Sequence, residues 1–286
     1  IVHTHASKAG AIGRRAAYKE GVKQIYHTFH GHVFHSYFGS LKTNIYKSIE
    51  RNLAKKSTKI IAISDIQKYE LSDIHKICPK EKIEVIPLGF DLKKFYTNTE
   101  EKREKFRTEW NLSNDEIAIG IIGRLAPIKN HKFFIDVIDR ILKLTNKKLR
   151  FFIIGDGEEK ENIIAHIKSK KIDFSNNEKK ATVQLTSWIK EIDIANAGMD
   201  IICLCSKNEG TPVSLIEAQA SSKPIVSTKT GGIENIVIEN ETALLSDLND
   251  LDSFTNNLLK LIESEKLRTQ LIINSKNKSD EFNCKK

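Results

Sequence analysis

The chain has 286 residues, a formal net charge of +9, 40% hydrophobic residues and four cysteines. That length exceeds one typical domain of about 100–150 residues, so two domains are expected. No run approaches the roughly 20 apolar residues of a membrane span, and the cysteines are too sparse for a disulfide-stapled secreted scaffold. The opening IVHTH matches neither a signal peptide nor a transit sequence, so the start is read as internal to a longer product. The closing DEFNCKK lacks a helix-stop signal and is read the same way.

Charge is unevenly placed. Residues 1–99 hold 17 Lys and Arg against 8 Asp and Glu, whereas residues 100–286 hold 29 of each. The asymmetry points to an anionic partner or surface for the N-terminal part alone. Nucleic acid is disfavoured as that partner, because no interleaved exposed aromatics or recognisable nucleic-acid module accompany the cations.

Short β-type runs alternate with helical stretches, the pattern of an α/β protein with parallel sheets. In the first third, VKQIYHTFHG and KIIAIS read as strands, with SLKTNIYKSIERNLAKK as a helix between them. IEVIPLGFD follows and leads into the charged run LKKFYTNTEEKREK. This Pro-Gly turn before a low-complexity charged segment predicts a hinge near residue 90. The expected division is residues 1–90 and 91–286.

Alternation restarts beyond the hinge. IAIGIIG, LRFFIIGDG, ATVQLTS, MDIICLCS, KPIVSTKTGG and ETALLS are predicted strands. HKFFIDVIDRILKL, KENIIAHIKSK, PVSLIEAQASS and LDSFTNNLLKLIES are predicted helices. By count this is a complete doubly wound domain, whereas the first third offers only two or three strands. Cys203 and Cys205 alternate within an apolar run, which fits a buried strand better than a metal site.

Four glycine-bearing loops end predicted strands. In EGTPVSLIE, Thr211 is expected to cap a helix starting at Pro212. Gly210 lets the backbone approach a ligand, and the helix start offers an anion site. Glu209 lies just outside that helix and Glu217 about five residues inside, roughly 8 Å along the axis. A nucleoside diphosphate-sugar spans such a gap, with sugar hydroxyls at Glu209, diphosphate over the helix start and ribose hydroxyls at Glu217. A surface helix with incidental acids is the alternative.

GRLAPIKN places Arg124 and Lys129 on a strand-to-helix loop at the ligand-binding edge of an open sheet, where two cations can neutralise a diphosphate. GDG, beginning at Gly155, is a weak signal by itself. TGG at 230–232, followed by Glu234, is the fourth loop. In HTFHGH, His27, His30 and His32 cannot all face one way, and no carboxylate or cysteine joins them at ligand spacing. A single histidine aimed into a cleft, His30 beside Gly31, is the preferred reading.

Together, GRLAPIK, EGTPVSLIEAQASSKPIVSTKTGG and the upstream HTHASKAG and HTFHGH resemble the retaining, nucleotide-sugar-dependent glycosyltransferases of family 4. The resemblance covers essentially the whole chain. It implies a GT-B fold of two Rossmann-like doubly wound domains, the N-terminal one incomplete. It also implies that Arg124 and Lys129 hold the donor diphosphate and stabilise its departure. Glu209 would face the donor sugar and Glu217 the ribose. Gly155 and the backbone of Gly210, Thr211, Pro212, Val213 and Ser214 would cradle phosphate or sugar. His30 would sit in the interdomain cleft beside the transferred sugar, and Ser7 and Lys8 on the acceptor side.

Such enzymes work without a bound metal or other cofactor, and here the one Asp-x-Asp, Asp250 and Asp252, lies at a helix start. The Gly-rich loop that follows the family's first strand is missing, the C-terminal helix looks short, and the turn IENETA has no glycine. The partners implied are a nucleoside diphosphate sugar, with UDP as the expected nucleotide, and a saccharide or lipid-linked acceptor in bacterial surface polysaccharide synthesis. A GT-B nucleotide-sugar epimerase and a truncated, inactive nucleotide-sugar-binding fragment are the alternatives.

The segment 42–59 interleaves Lys42, Lys47, Arg51, Lys55, Lys56 and Lys59 with Leu41, Ile45, Ile49 and Leu53. Such a basic amphipathic helix fits either a sheet-covering element or peripheral contact with anionic lipid. A cytoplasmic location, peripheral at the inner face of the plasma membrane, is the corresponding expectation.

Overall fold

The computed structural model describes residues 1–30, 40–176 and 180–284. It divides into two compact units, Ile1–Gly89 and Phe90–Lys286.

The first unit is a four-stranded parallel sheet in the order β1 (Val2–His5), β2 (Ile25–Thr28), β3 (Lys59–Ala62), β4 (Ile83–Val85). Helices α1 (Ser7–Lys19), α2 (Ser40–Lys56) and α3 (Asp65–Tyr69) connect the strands. The strand count exceeds the two or three expected, because VHTH carries no apolar alternation and pairs only through tertiary register with β2. Ile60, Ala62, Leu71 and Ile83 form the core with Ala54 of α2.

Helix α2 ends at Lys56, as the predicted helix SLKTNIYKSIERNLAKK does, so the basic segment 42–59 runs past it. Lys59 lies instead on β3 and pairs with Glu84 at 2.6 Å. Arg51 also leaves the predicted free basic face. Its guanidinium donates to the carbonyls of His75 and Lys76. Leu53 is fully buried, whereas Ile45 is 53% exposed. The α1–α2 contact contains a buried ion pair, Arg14 to Glu50 at 2.7 Å.

The second unit has a seven-stranded parallel sheet in the order β11-β10-β9-β5-β6-β8-β7. In chain order these are β5 (Ile117–Ile122), β6 (Leu149–Ile154), β7 (Phe174–Ser175), β8 (Val183–Ser187), β9 (Ile201–Leu204), β10 (Ile225–Thr228) and β11 (Ala243–Ser246). Around them lie α4 (Lys93–Tyr96), α5 (Thr99–Glu109), α6 (His131–Leu144), α7 (Lys160–Ser169), α8 (Ile192–Gly198), α9 (Val213–Ala220), α10 (Leu251–Glu263) and α11 (Glu265–Ser279).

Burial on both faces explains why the central strands read as unbroken apolar runs. Ile119, Ile121, Phe151, Ile153, Ile201 and Cys203 pack on one face with Phe134 and Ile138 of α6. Ala118, Phe152, Ile154, Ile202 and Leu204 pack on the other with Phe106 of α5 and Leu215 of α9. Burial pushes the Cys203 and Cys205 thiols far up, consistent with core residues.

The charged segment after the Pro-Gly turn is the helix pair α4 and α5, and α5 packs on α8, which the sequence reading missed. Asp200 explains the docking. Its carboxylate accepts from Arg103 at 2.7 Å, from Arg107 at 3.3 Å and from the Ala118 amide at 2.8 Å. Arg107 is 6% exposed, so its charge is desolvated and depends on that partner.

Asp200→Ala leaves two guanidinium groups without their carboxylate and the Ala118 amide without its acceptor. It should lower the unfolding free energy of this unit by about 3 kcal/mol. Arg140→Ala removes only an exposed pair with Asp252 and should cost less than about 1 kcal/mol. Urea denaturation followed by the fluorescence of Trp110, which packs on Phe106, reads both. Equal effects would show that Asp200 is not the anchor of α5.

Candidate functional site

The strand order of the second sheet sets the site. From β5 the chain steps to β6 on one side, and later crosses to β9 on the other side of β5. Loops leaving the carboxyl ends of β5 and β9 therefore diverge, and such a switch point opens a crevice in open α/β sheets.

After β5, Gly123–Asn130 descends through a single turn of 3-10 helix, Pro127–Lys129, into α6. Lys129 Nζ reaches across the switch point to Glu209 Oε1 at 2.6 Å. Both side chains are largely buried, 23% and 11% exposed. The backbone repeats this link, because the Lys207 amide donates to the Ile128 carbonyl at 2.8 Å.

Glycine makes the neighbouring loops fit. A Cβ at Gly155, whose φ is +143°, would overlap the Gly123 carbonyl, so the turn after β6 sits directly on the β5 loop. At Gly231, with φ +56°, a Cβ would overlap the Glu209 carbonyl, and the Gly232 amide donates to that same carbonyl at 2.9 Å. Thr228 and Thr230 hydroxyls both donate to the Ser206 carbonyl. Four loops thus meet at one edge of the sheet, as their sequences suggested.

Other expected positions differ in detail. Helix α9 starts at Val213 with Pro212 at its cap, and no side chain caps it, so Thr211 does not play the expected role. Proline places its own extended backbone there instead, and the first amides of α9 keep no intrahelical partner. Ser214 lies in this first turn, and Val213 is partly exposed. Arg124 is turned to Glu158 in an exposed pair at 2.9 Å rather than sharing the Lys129 cluster. Glu234 pairs with Lys229 at 3.5 Å.

Glu217 occupies the fifth position of α9. Its half-buried carboxylate makes no hydrogen bond or ion pair among the described residues. Burial raises its pKa to about 7, opposed by Lys94 and reinforced by Asp193. Asp156, which the sequence reading passed over, is the second loop anchor. It accepts from Ser187 at 2.6 Å, from the Gly157 amide at 2.8 Å and from Lys160 at 3.1 Å, which together hold its carboxyl below the usual range.

In the first unit, His30 is exposed at the end of β2, and His32 and Gly31 lie outside the described residues. His30 Nε2 is 2.9 Å from His5 Nδ1 with the rings stacked, and His3 lies against His5. The sequence reading missed these partners because β1 itself was not recognised. Burial and then His5 lower the His30 pKa. His27 points inward to Thr4 Oγ1 at 2.9 Å, and its pKa is lowered to about 3, mainly by burial. Ser7 and Lys8 open α1, with Lys8 exposed. Among the described residues no group of three or more His, Cys, Asp and Glu is placed to hold a metal ion.

A crevice at the switch point of one Rossmann-like unit, with a second such unit before it, defines a GT-B protein, and residues 102–278 match the profile of glycosyl transferases group 1. Residues 1–94 match that of Glycosyltransferase Family 4. The chain belongs to this glycosyltransferase family. An Escherichia coli UDP-Gal:alpha-D-GlcNAc-diphosphoundecaprenol alpha-1,3-galactosyltransferase is 32% identical over 279 residues, covering 93% of this chain and 67% of its own. A Campylobacter jejuni alpha-1,4-N-acetyl-D-galactosaminyltransferase acting on an undecaprenol-linked glycan is 26% identical. That match covers 56% of this chain but only 43% of the Campylobacter enzyme, under half its length. Among solved structures, Anabaena HepE in complex with UDP and glucose superimposes with a TM-score of 0.83 at 19% identity, covering 98% of this chain and 74% of HepE.

The Glu217 environment is testable by pH. A carboxyl raised from 4.5 to about 7 on folding leaves the native state unpenalised below pH 4.5, and the penalty grows as pH rises through 7. Glu217→Gln should therefore be more stable than the parent by about 1–3 kcal/mol at pH 8 and equal to it at pH 4. Thermal unfolding at both pH values measures this, and a pH-independent difference would refute the raised pKa.

Proposed function

We propose that this protein transfers a hexosyl or N-acetylhexosaminyl group from a UDP-sugar to a lipid-linked glycan, with retention at the anomeric carbon. The observation that carries this reading is the Lys129–Glu209 pair across the switch point, beside the uncapped start of α9. Support for UDP comes from the UDP-Gal named for the Escherichia coli relative and the UDP bound to HepE. Both curated relatives described above carry undecaprenol-linked acceptors in their names.

In this mechanism the donor diphosphate lies over the first amides of α9 and draws Lys129 towards itself. Lys129, joined by Arg124 on release from Glu158, offsets the charge that develops as the sugar–phosphate bond breaks. In this mechanism Lys129, the helix start and the released Arg124 supply the positive charge, and no metal is required. Glu209, freed from Lys129, accepts from the sugar hydroxyls, and Glu217 accepts from the ribose diol. Gly155 and the main chain of Gly210 to Ser214 allow close approach. His30 faces the transferred sugar, and Ser7 and Lys8 serve the acceptor.

The acceptor chemistry suggests peripheral contact with an anionic membrane through α1 and α2. Ile12 is 73% exposed, Tyr18 55% and Ile45 53%, and Lys56 Nζ lies 4.6 Å over the Tyr18 ring. Arg15, Lys19, Lys42 and Lys55 are exposed cations on the same two helices. Among the described residues no helix is long and apolar enough to cross a membrane.

Calorimetric titration with UDP and GDP tests the donor site. UDP should bind, and Lys129→Ala and Glu217→Ala should each weaken it about tenfold or more. A folded chain that binds neither nucleotide would overturn the reading. With UDP-sugars and an undecaprenyl-diphosphate-linked saccharide, product NMR should show an α linkage made from an α donor; inversion would defeat the retaining assignment. Co-sedimentation should increase with the anionic lipid content of liposomes and fall with salt. Binding indifferent to both would exclude the membrane surface.

A further inference from the structure

The two histidines of VHTH carry none of the roles assigned above. His3 and His5 share one face of β1, because side chains alternate along a strand. Thr4 between them turns inward to His27. His3 Nε2 lies 2.8 Å from Thr28 Oγ1, which anchors that ring to β2. The His5 ring centroid is 4.3 Å from that of His3 and 5.1 Å from that of His30, to which it is stacked at 27°. His5 Nδ1 stands 2.9 Å from His30 Nε2. Three imidazoles thus form a chain at the carboxyl ends of β1 and β2, with its fixed end at Thr28.

Hydrogen bonding sets the chemistry of the last link. At 2.9 Å, one of the two facing nitrogens carries a hydrogen and the other a lone pair. Two N–H groups would repel, and so would two lone pairs. The bond made by one ring nitrogen fixes the state of the other, so His5 sets the tautomer of His30 as well as its ring plane. Among the described residues no other group bonds His30, and its Nδ1 is left for a ligand. The pair also resists double protonation, since two imidazolium rings would meet N–H to N–H. Burial, then His5, then His3 lower the His30 pKa. His27 of β2 turns inward to Thr4 and Arg14 of α1 is committed to Glu50, so neither faces His30.

We propose that His5 is a positioning residue for the transfer reaction, holding the His30 ring in one plane and one tautomer so that Nδ1 meets a hydroxyl of the transferred sugar. This rests on the reading that His30 faces that sugar. A neutral, oriented ring offers the hydroxyl one directed hydrogen bond, whereas an imidazolium would compete for the diphosphate oxygens.

NMR titration of the histidine rings in the whole chain, with the pH profile of sugar transfer, tests this role. His5→Phe keeps an aromatic ring against His3 and His30 but removes the nitrogens, and His5→Asn restores a polar partner. In the parent, His5 and His30 should titrate as a coupled pair. In His5→Phe the His30 midpoint should rise towards the ordinary 6.5. Since His30 acts in its neutral form, activity falls as the ring protonates, and the acid limb of kcat/KM should move to higher pH in that variant. Its kcat should fall about tenfold while KM for the UDP-sugar stays within about twofold, and His5→Asn should recover most of the loss. His5 is exposed, so both variants should fold, and their melting temperatures check that. An unmoved His30 midpoint, an effect on KM alone or equal losses in the two variants would overturn the positioning role. So would a fully active His5→Phe beside an inactive His30→Ala, which would leave the reading of His30 intact. A fully active His30→Ala would instead defeat that reading, and the role of His5 with it, even where the two rings titrate together.

Discussion

The crevice at the switch point depends on backbone packed against backbone where a side chain would not fit. Gly155 sits on the Gly123 carbonyl, and Gly231 sits on the Glu209 carbonyl, which the Gly232 amide also holds. These contacts hold the loops after β5, β6, β9 and β10 in mutual register, so the charged side chains they carry need little reorganisation. Preorganisation of this kind is where most electrostatic stabilisation of a developing charge originates. Loop flexibility would dissipate it.

Within that frame the charges fall into two kinds. Lys129 and Glu209 are desolvated together and hold each other at 2.6 Å, so neither is left as an unpaired buried charge. Glu217 has no such partner, and its carboxyl rises to about 7 because burial outweighs the attraction of Lys94. A ligand that offers hydroxyls to Glu217 and anionic oxygens to Lys129 relieves both conditions at once.

Much of the second unit was legible in the sequence. Its central strands are buried on both faces, so they read as continuous apolar runs with glycine turns at their carboxyl ends. Four of those turns do converge. The misreadings share a cause. VHTH of β1 and the two-residue β7 have too few apolar positions to signal a strand, and the charged α5 has a composition that resembles a linker. Its cations turned out to be committed to Asp200, a partner some 95 residues away that no local pattern discloses.

The sequence alone determined the fold class, the family resemblance and the cluster of candidate residues in GRLAPIKN and EGTPVSLIE. Periodicity and turn chemistry are local properties, and they survive in any window of the chain. Only the tertiary structure decided which charges meet. It joined Lys129 to Glu209, turned Arg124 to Glu158, committed Arg51 to loop carbonyls and set His5 against His30. Pairing and desolvation depend on distances between residues remote in sequence, and the order of strands in the sheet sets those distances.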